Sequence, residues 1–254
     1  MNNILNTIKV LQTPTKIKLE DILNELVIKK ENMTDKWINL NGDNFNLQKN
    51  PKVGATIQYE IDGKKFNFLY KKWFQTLCKE ADLPTDIEIK CWLKQLQPKS
   101  HQVHTDSNNN MAHYNTICRF TIPLTTGPPT CYFDKVMPTD YFYIRKTKHN
   151  FIMTKLHEAE EIVVTKLHDM ETKEEIEING ELPDMSHLSH IDPQQLYGLN
   201  IHTIGEWKIG CMHFFPFANL HSSTDFDNFT EKWMLNGILY SKARQGYLER
   251  QLKK

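Results

Sequence analysis

The chain predicts a mainly β fold, a β-sandwich or jelly roll backed by helices. Helical periodicity is confined to the first third, the apolar period switches to alternation after Pro84, and short alternating segments then follow one another as far as Tyr240.

The first helix is expected over Lys18 to Lys30, where Leu19, Ile22, Leu23, Leu26 and Val27 recur at helical spacing and bury one face. A polar stretch with Gly42, Gly54 and Gly63 follows, and Asp62-Gly63 reads as a turn joining two strands. The second helix spans about Phe68 to Ala81. Its stripe of Tyr70, Trp73, Phe74, Leu77 and Cys78 is core rather than a cofactor box, and it stops before Pro84.

Beyond Pro84, Ile87, Ile89, Cys91 and Leu93 share one strand face, with Glu88, Lys90 and Lys94 on the other. The strand Thr116 to Thr125 sends Cys118, Phe120, Ile122 and Leu124 one way and Arg119 and Thr121 the other. Further strands are expected at Thr130 to Phe133, Tyr141 to Arg145, Ile162 to Leu167 paired with Glu174 to Ile178, Trp207 to Phe215 and Trp233 to Tyr240. A short helix from Lys242 to Leu252 follows. There is no internal repeat or low-complexity linker, so one domain is expected over 1–254. It divides into helical or mixed support (1–84), a jelly-roll core (85–240) with an insertion at 146–205, and a C-terminal helix (241–254).

Composition narrows the function classes. An apolar fraction of 39% with mean hydropathy −0.55 fits a folded, water-soluble chain. No apolar run nears the roughly 18 residues that span a bilayer, and Met1-Asn2-Asn3-Ile4 lacks a basic leader, so a cytoplasmic protein without a membrane partner is expected. The 31 basic residues balance 31 acidic ones, which argues against general nucleic-acid binding. Five widely spaced cysteines with no CxxC pair suit a reducing compartment and suggest no zinc finger.

The chemistry starts at Gln97-Pro-Lys-Ser-His-Gln-Val-His104-Thr-Asp106, whose His-x-Asp can point two side chains to one side of a strand. With 11 His and 31 acidic residues, about 1.3 His-x-acid triplets are expected by chance, so alone it reads as a surface loop. The features that follow change this: the strand Cys118-Arg-Phe-Thr-Ile-Pro-Leu124, then Gly210-Cys-Met-His-Phe-Phe-Pro-Phe-Ala-Asn-Leu-His221, then Lys232 opening an apolar strand. Each has a bland reading beside the chemical one. His221 could be a hydrogen-bonded core histidine and Lys232 a solvated surface lysine. His213 rivals His221 but has no basic residue at the right following position. His187 and His190 form a His-x-x-His that could take zinc, yet Pro183, Ser186 and Ser189 mark that segment as a loop.

This ordered set resembles the Fe(II)/2-oxoglutarate-dependent oxygenase superfamily, in which a His-x-Asp precedes a distal His and a basic residue follows on the next strand. Arg119-Phe-Thr-Ile-Pro-Leu124 is similar to the corresponding strand of the aspartyl/asparaginyl β-hydroxylase and prolyl-hydroxylase-like branches, and the likeness covers roughly Ile87 to Tyr240. It implies a double-stranded β-helix, the cupin-like jelly roll, with His104, Asp106 and His221 as catalytic iron ligands. Two imidazoles and a carboxylate on one face of an octahedral ion leave three positions for reactants. It further implies 2-oxoglutarate as cosubstrate, O2 as oxidant, and Lys232 as the cation for the cosubstrate's distal carboxylate. Many members use Arg at the Lys232 position, and Lys offers a point charge instead of a planar fork. Arg119 is a competing partner, since it sits on the strand face opposite its core-facing neighbours. A peptide side chain, a free amino acid and a nucleobase are all open as substrate, with peptide hydroxylation favoured by the branch. The insertion at 146–205 is expected to carry a polar recognition loop over Asp184 to Pro193. Readings from other classes are a non-catalytic jelly-roll binding or viral structural protein, and a cupin-like metalloenzyme that does not use 2-oxoglutarate.

Overall fold

The computed structural model describes residues 8–12, 16–32, 56–96, 103–105, 116–136, 143–146, 151–154, 161–172, 174–178, 181–224, 229 and 231–241. The protein is mainly antiparallel β with two α-helices among these residues. In chain order the elements are β1 (Lys9–Gln12), α1 (Leu19–Glu25), β2 (Val27–Asn32), β3 (Thr56–Ile61), α2 (Gly63–Glu80), β4 (Ile87–Leu96), β5 (Thr116–Pro123), β6 (Thr130–Val136), β7 (Tyr143–Lys146), β8 (Phe151–Thr154), β9 (Glu161–Val164), β10 (Lys166–Asp169), β11 (Glu175–Glu177), β12 (Ile201–Gly205), β13 (Cys211–Phe215), β14 (Asn219–Ser223) and β15 (Lys232–Ser241). No helix among the described residues is long and apolar enough to cross a membrane. The expected C-terminal helix lies outside the described residues.

Seven strands form the larger sheet in the order β1-β13-β5-β15-β4-β3-β2. Odd positions of β4 and β15 and even positions of β5 and β13 turn to one face. There Ile89, Leu93, Cys118, Phe120, Met212, Phe214, Leu235 and Leu239 meet Phe66, Phe74, Leu77 and Cys78 of α2 in one apolar cluster. Phe74 sets its edge against Phe120 with centroids 4.9 Å apart. The opposite face carries Arg119, Thr121, His213, Phe215, Lys232 and Asn236, all buried. Both helices expected in the N-terminal part are present, and α2 packs on this sheet.

Their boundaries differ from the sequence expectation for physical reasons. The first helix stops at Glu25, and Val27–Asn32 pairs with β3 instead, because β-branched Val27 and Ile28 suit a pleated surface better than a helix. Asp62-Gly63 is no hairpin turn. Asp62 is the N-cap of α2, its carboxylate accepting from the backbone N–H of Lys64 and Lys65 at 3.0 Å each.

The second sheet is built around β6. β14 pairs along one edge of it, while β12 and β10 share the other, and β11 pairs with β10. Beyond β14, an isolated antiparallel bridge joins His104 to His221. From β4 onward the chain therefore alternates between the sheets: β4 in the first, the His104 bridge in the second, β5 in the first, β6 and β12 in the second, β13 in the first, β14 in the second, β15 in the first. A separate three-stranded sheet, β7-β8-β9, takes the start of the insertion, so the expected strand over 162–167 is split, β9 pairing with β8 and β10 with β11. The segment 181–200 lays Leu188, Ile191, Leu196 and Leu199 on Cys131, Phe133 and Leu220 at the outer face of the second sheet. Residues expected to form a polar loop are thus partly core.

Candidate functional site

Alternation along β6 and β14 decides which side chains face inward. Phe133 and Leu220 turn out to the 181–200 segment, so Tyr132 and His221, paired in register, turn in toward Phe215 of the larger sheet. His221 is 7% exposed. His104 exchanges both backbone hydrogen bonds with it, each 3.0 Å, and the two rings lie with centroids 4.4 Å apart. Two of the three expected ligands are therefore neighbours although they lie 117 positions apart in sequence. Asp106, the third, lies outside the described residues, and no third His, Cys, Asp or Glu joins the pair among those described.

The ring of His221 has a set orientation. Its Nδ1 lies 3.1 Å from the carbonyl oxygen of Asn219, which can only accept, so the proton sits on Nδ1 and the lone pair on Nε2. A carbonyl holding one imidazole nitrogen is the usual way a metal-binding histidine is fixed in its tautomer, so His221 is held in a form that could ligate a metal through Nε2.

His213 is built for a different task. Its Nε2 donates to the Glu206 carbonyl at 2.8 Å, and its Nδ1 accepts from the Tyr132 hydroxyl, also at 2.8 Å. Burial, aided by the nearby Lys232 charge and opposed by the Glu206 hydrogen bond, lowers its pKa to about 4. It is a satisfied, neutral core histidine that aims Tyr132, whose ring in turn lies 5.9 Å from that of His221.

Lys232 opens β15 and is 1% exposed, so the solvated-surface reading does not hold for it. Its Nζ reaches the Pro128 carbonyl at 3.4 Å and sits 3.8 Å from the centroid of the Trp207 ring. Burial pulls its pKa down from 10.5 to about 7, with Cys131 opposing. Gly127 makes this contact possible: a Cβ there would lie 2.8 Å from Trp207 Cδ1 and 3.0 Å from Lys232 Cβ. Arg119 shares the inward face but stands six positions along β15 from Lys232, opposite Ile238, which is about 20 Å at ~3.3 Å per residue. It donates to Asn236 Oδ1 at 2.7 Å and lies over the Phe217 ring. One carboxylate cannot be shared by both cations.

His187 and His190 lie in the turn-rich segment whose Leu188 and Ile191 are buried. Sequence reasoning missed Trp207, expected inside a strand that in fact starts at Cys211, and Tyr132, for which an inward-facing position opposite His221 is the one available signal.

No protein-family model and no curated protein sequence matches this chain. Among solved structures it is similar to a Pseudomonas putida prolyl-4-hydroxylase, with a TM-score of 0.36 and 10% identity, covering 88% of this chain and 97% of that one. Likeness at that level leaves fold and activity to be read from the chain's own residues.

Proposed function

We propose that this chain is an Fe(II)- and 2-oxoglutarate-dependent oxygenase on a double-stranded β-helix, hydroxylating a peptide side chain or small molecule. The observation that carries the reading is the strand alternation described above, which brings His104 and His221 together facing an interior that also holds a buried lysine. The strand orders β4-β15-β5-β13 in one sheet and β14-β6-β12 in the other, with the His104 bridge beside β14, support this reading.

Within this reading His104 and His221 hold the metal with Asp106, two residues beyond His104. Iron with bound 2-oxoglutarate would supply the oxidation, taking up O2 and releasing succinate and CO2 as the substrate gains a hydroxyl. The chain's own contribution is positional. Asn219 keeps the His221 lone pair on Nε2, Lys232 receives the distal carboxylate, and Phe215, Tyr132 and Trp207 keep water from the interior. A jelly-roll binding module or a viral structural protein has no use for a buried cation in the same interior as paired imidazoles.

Anaerobic titration with Fe(II), then 2-oxoglutarate, tests it. The weak visible charge-transfer band of the ternary complex should appear, and His104→Ala and His221→Ala should lose iron binding and succinate formation while keeping the wild-type circular dichroism spectrum. Lys232→Met should keep iron and lose 2-oxoglutarate affinity. Full succinate formation by either histidine variant sinks the reading, and 2-oxoglutarate affinity unchanged in Lys232→Met but lost in Arg119→Met moves the distal carboxylate to Arg119.

A further inference from the structure

We propose that Trp207 is a second anion-binding group of this site, its indole N–H donating to the distal carboxylate that Lys232 holds; this rests on the oxygenase reading above. Trp207 is 4% exposed, and its Nε1 is buried with no hydrogen-bond partner among the described residues. A donor in that state has given up water without a replacement, and folded proteins rarely leave one so without a cause.

The surroundings of the ring point to that cause. The Gly127 N–H donates to the Trp207 carbonyl at 3.0 Å, which pins the residue against the 125–130 turn. At Gly127 an added Cβ would come within 3.3 Å of Trp207 Nε1 and 3.0 Å of Lys232 Cβ, so the absent side chain keeps clear the wall on which the indole N–H and the base of the lysine converge. The other donors close by are committed: the Tyr132 hydroxyl to His213 Nδ1, and His213 Nε2 to the Glu206 carbonyl. Lys232 Nζ lies 3.4 Å from the Pro128 carbonyl and 3.8 Å from the Trp207 ring centroid, so its ammonium is at the same wall as the indole.

Division of labour follows from the chemistry of the two groups. An ammonium is a compact charge with little directional preference, while a carboxylate has about four lone-pair sites and prefers donors in its plane. A fixed indole N–H supplies the direction that lysine lacks, and the ring face steadies the ammonium.

The test uses Zn(II)-loaded protein with 15N-labelled tryptophan, with the Trp207 Nε1–H resonance assigned through its contact to Gly127. Adding 2-oxoglutarate should move that resonance downfield. Adding 2-oxobutanoate, which keeps the keto acid but lacks the distal carboxylate, should leave it in place. By calorimetry, Trp207→Phe should weaken 2-oxoglutarate binding about tenfold and leave 2-oxobutanoate binding unchanged. An unmoved resonance, or equal loss of both ligands, overturns the assignment, and the wild-type resonance decides the matter even if the variant folds poorly. If Lys232→Met binds 2-oxoglutarate as tightly as wild type, the distal carboxylate is not held at Lys232, and Trp207's role falls; if the protein binds no 2-oxoglutarate at all, the oxygenase reading falls first. A normal loss in Lys232→Met beside an unmoved Trp207 resonance removes Trp207 alone.

Discussion

At the pKa of about 7 that burial imposes, Lys232 is only partly protonated near neutrality. A dicarboxylate that requires the ammonium form must then draw a proton in with it above pH 7, and its affinity should fall by about tenfold per pH unit once the free lysine is neutral. Below pH 7 the ammonium is already present, and affinity should be flat. Calorimetry at pH 8 in two buffers of different ionisation enthalpy reads the proton directly; absence of uptake would mean that another cation holds the anion. The sequence showed this lysine through its spacing from His221, since ordered motifs survive as spacing. It could not show Trp207 or the Tyr132–His213 pair, because those contacts join residues whose neighbours in sequence say nothing about them.

Single strands and turns carry a different kind of information. The 181–200 segment has no apolar period, yet Leu188 and Leu196 are fully buried and Ile191 is 4% exposed, because a chain of turns can press alternate spots of an irregular surface onto a sheet. Leu188→Ala or Ile191→Ala should each cost about 2–5 kcal/mol, read as a lower urea midpoint with circular dichroism. Replacing 184–193 by a short Gly-Ser link should likewise destabilise the fold, not merely uncouple the reaction; an unchanged midpoint would return this segment to the role of a surface loop. Where a period was present, the sequence was readable: β4 buries alternate residues over most of its length, and the α2 stripe is the buried face. The first helix misled because Leu19 to Val27 fits a helical stripe while Val27 and Ile28 equally fit a strand, and pairing with β3 settled the competition.

For the molecule as a whole, the buried pair at His213 ties stability to pH. Its native pKa of about 4 lies below the ordinary 6.5, so between those values the unfolded chain binds a proton that the native state refuses. Stability is therefore complete above pH 6.5 and lost as pH falls toward 4, by roughly 3 kcal/mol at most. Melting temperature followed from pH 7 to 4 should drop less steeply in His213→Gln, which keeps a donor for the Glu206 carbonyl; equal slopes would assign acid sensitivity to other groups. Strand order at this scale could be expected only from the family likeness, since no local pattern states which strand lies beside which.

β15 lies at the centre of the seven-stranded sheet, pairing with β4 along ten residues and with β5 on its other edge. It also follows every one of its sheet partners in chain order. During vectorial synthesis the sheet must therefore wait as two halves, β1-β13-β5 and β4-β3-β2, each showing an unpaired edge to solvent or to a chaperone until Lys232–Ser241 emerges and slots between them. The strand that delivers the buried lysine is thus also the keystone of assembly. A ribosome stalled before it would hold a nascent chain with two open edges and no lysine in its interior.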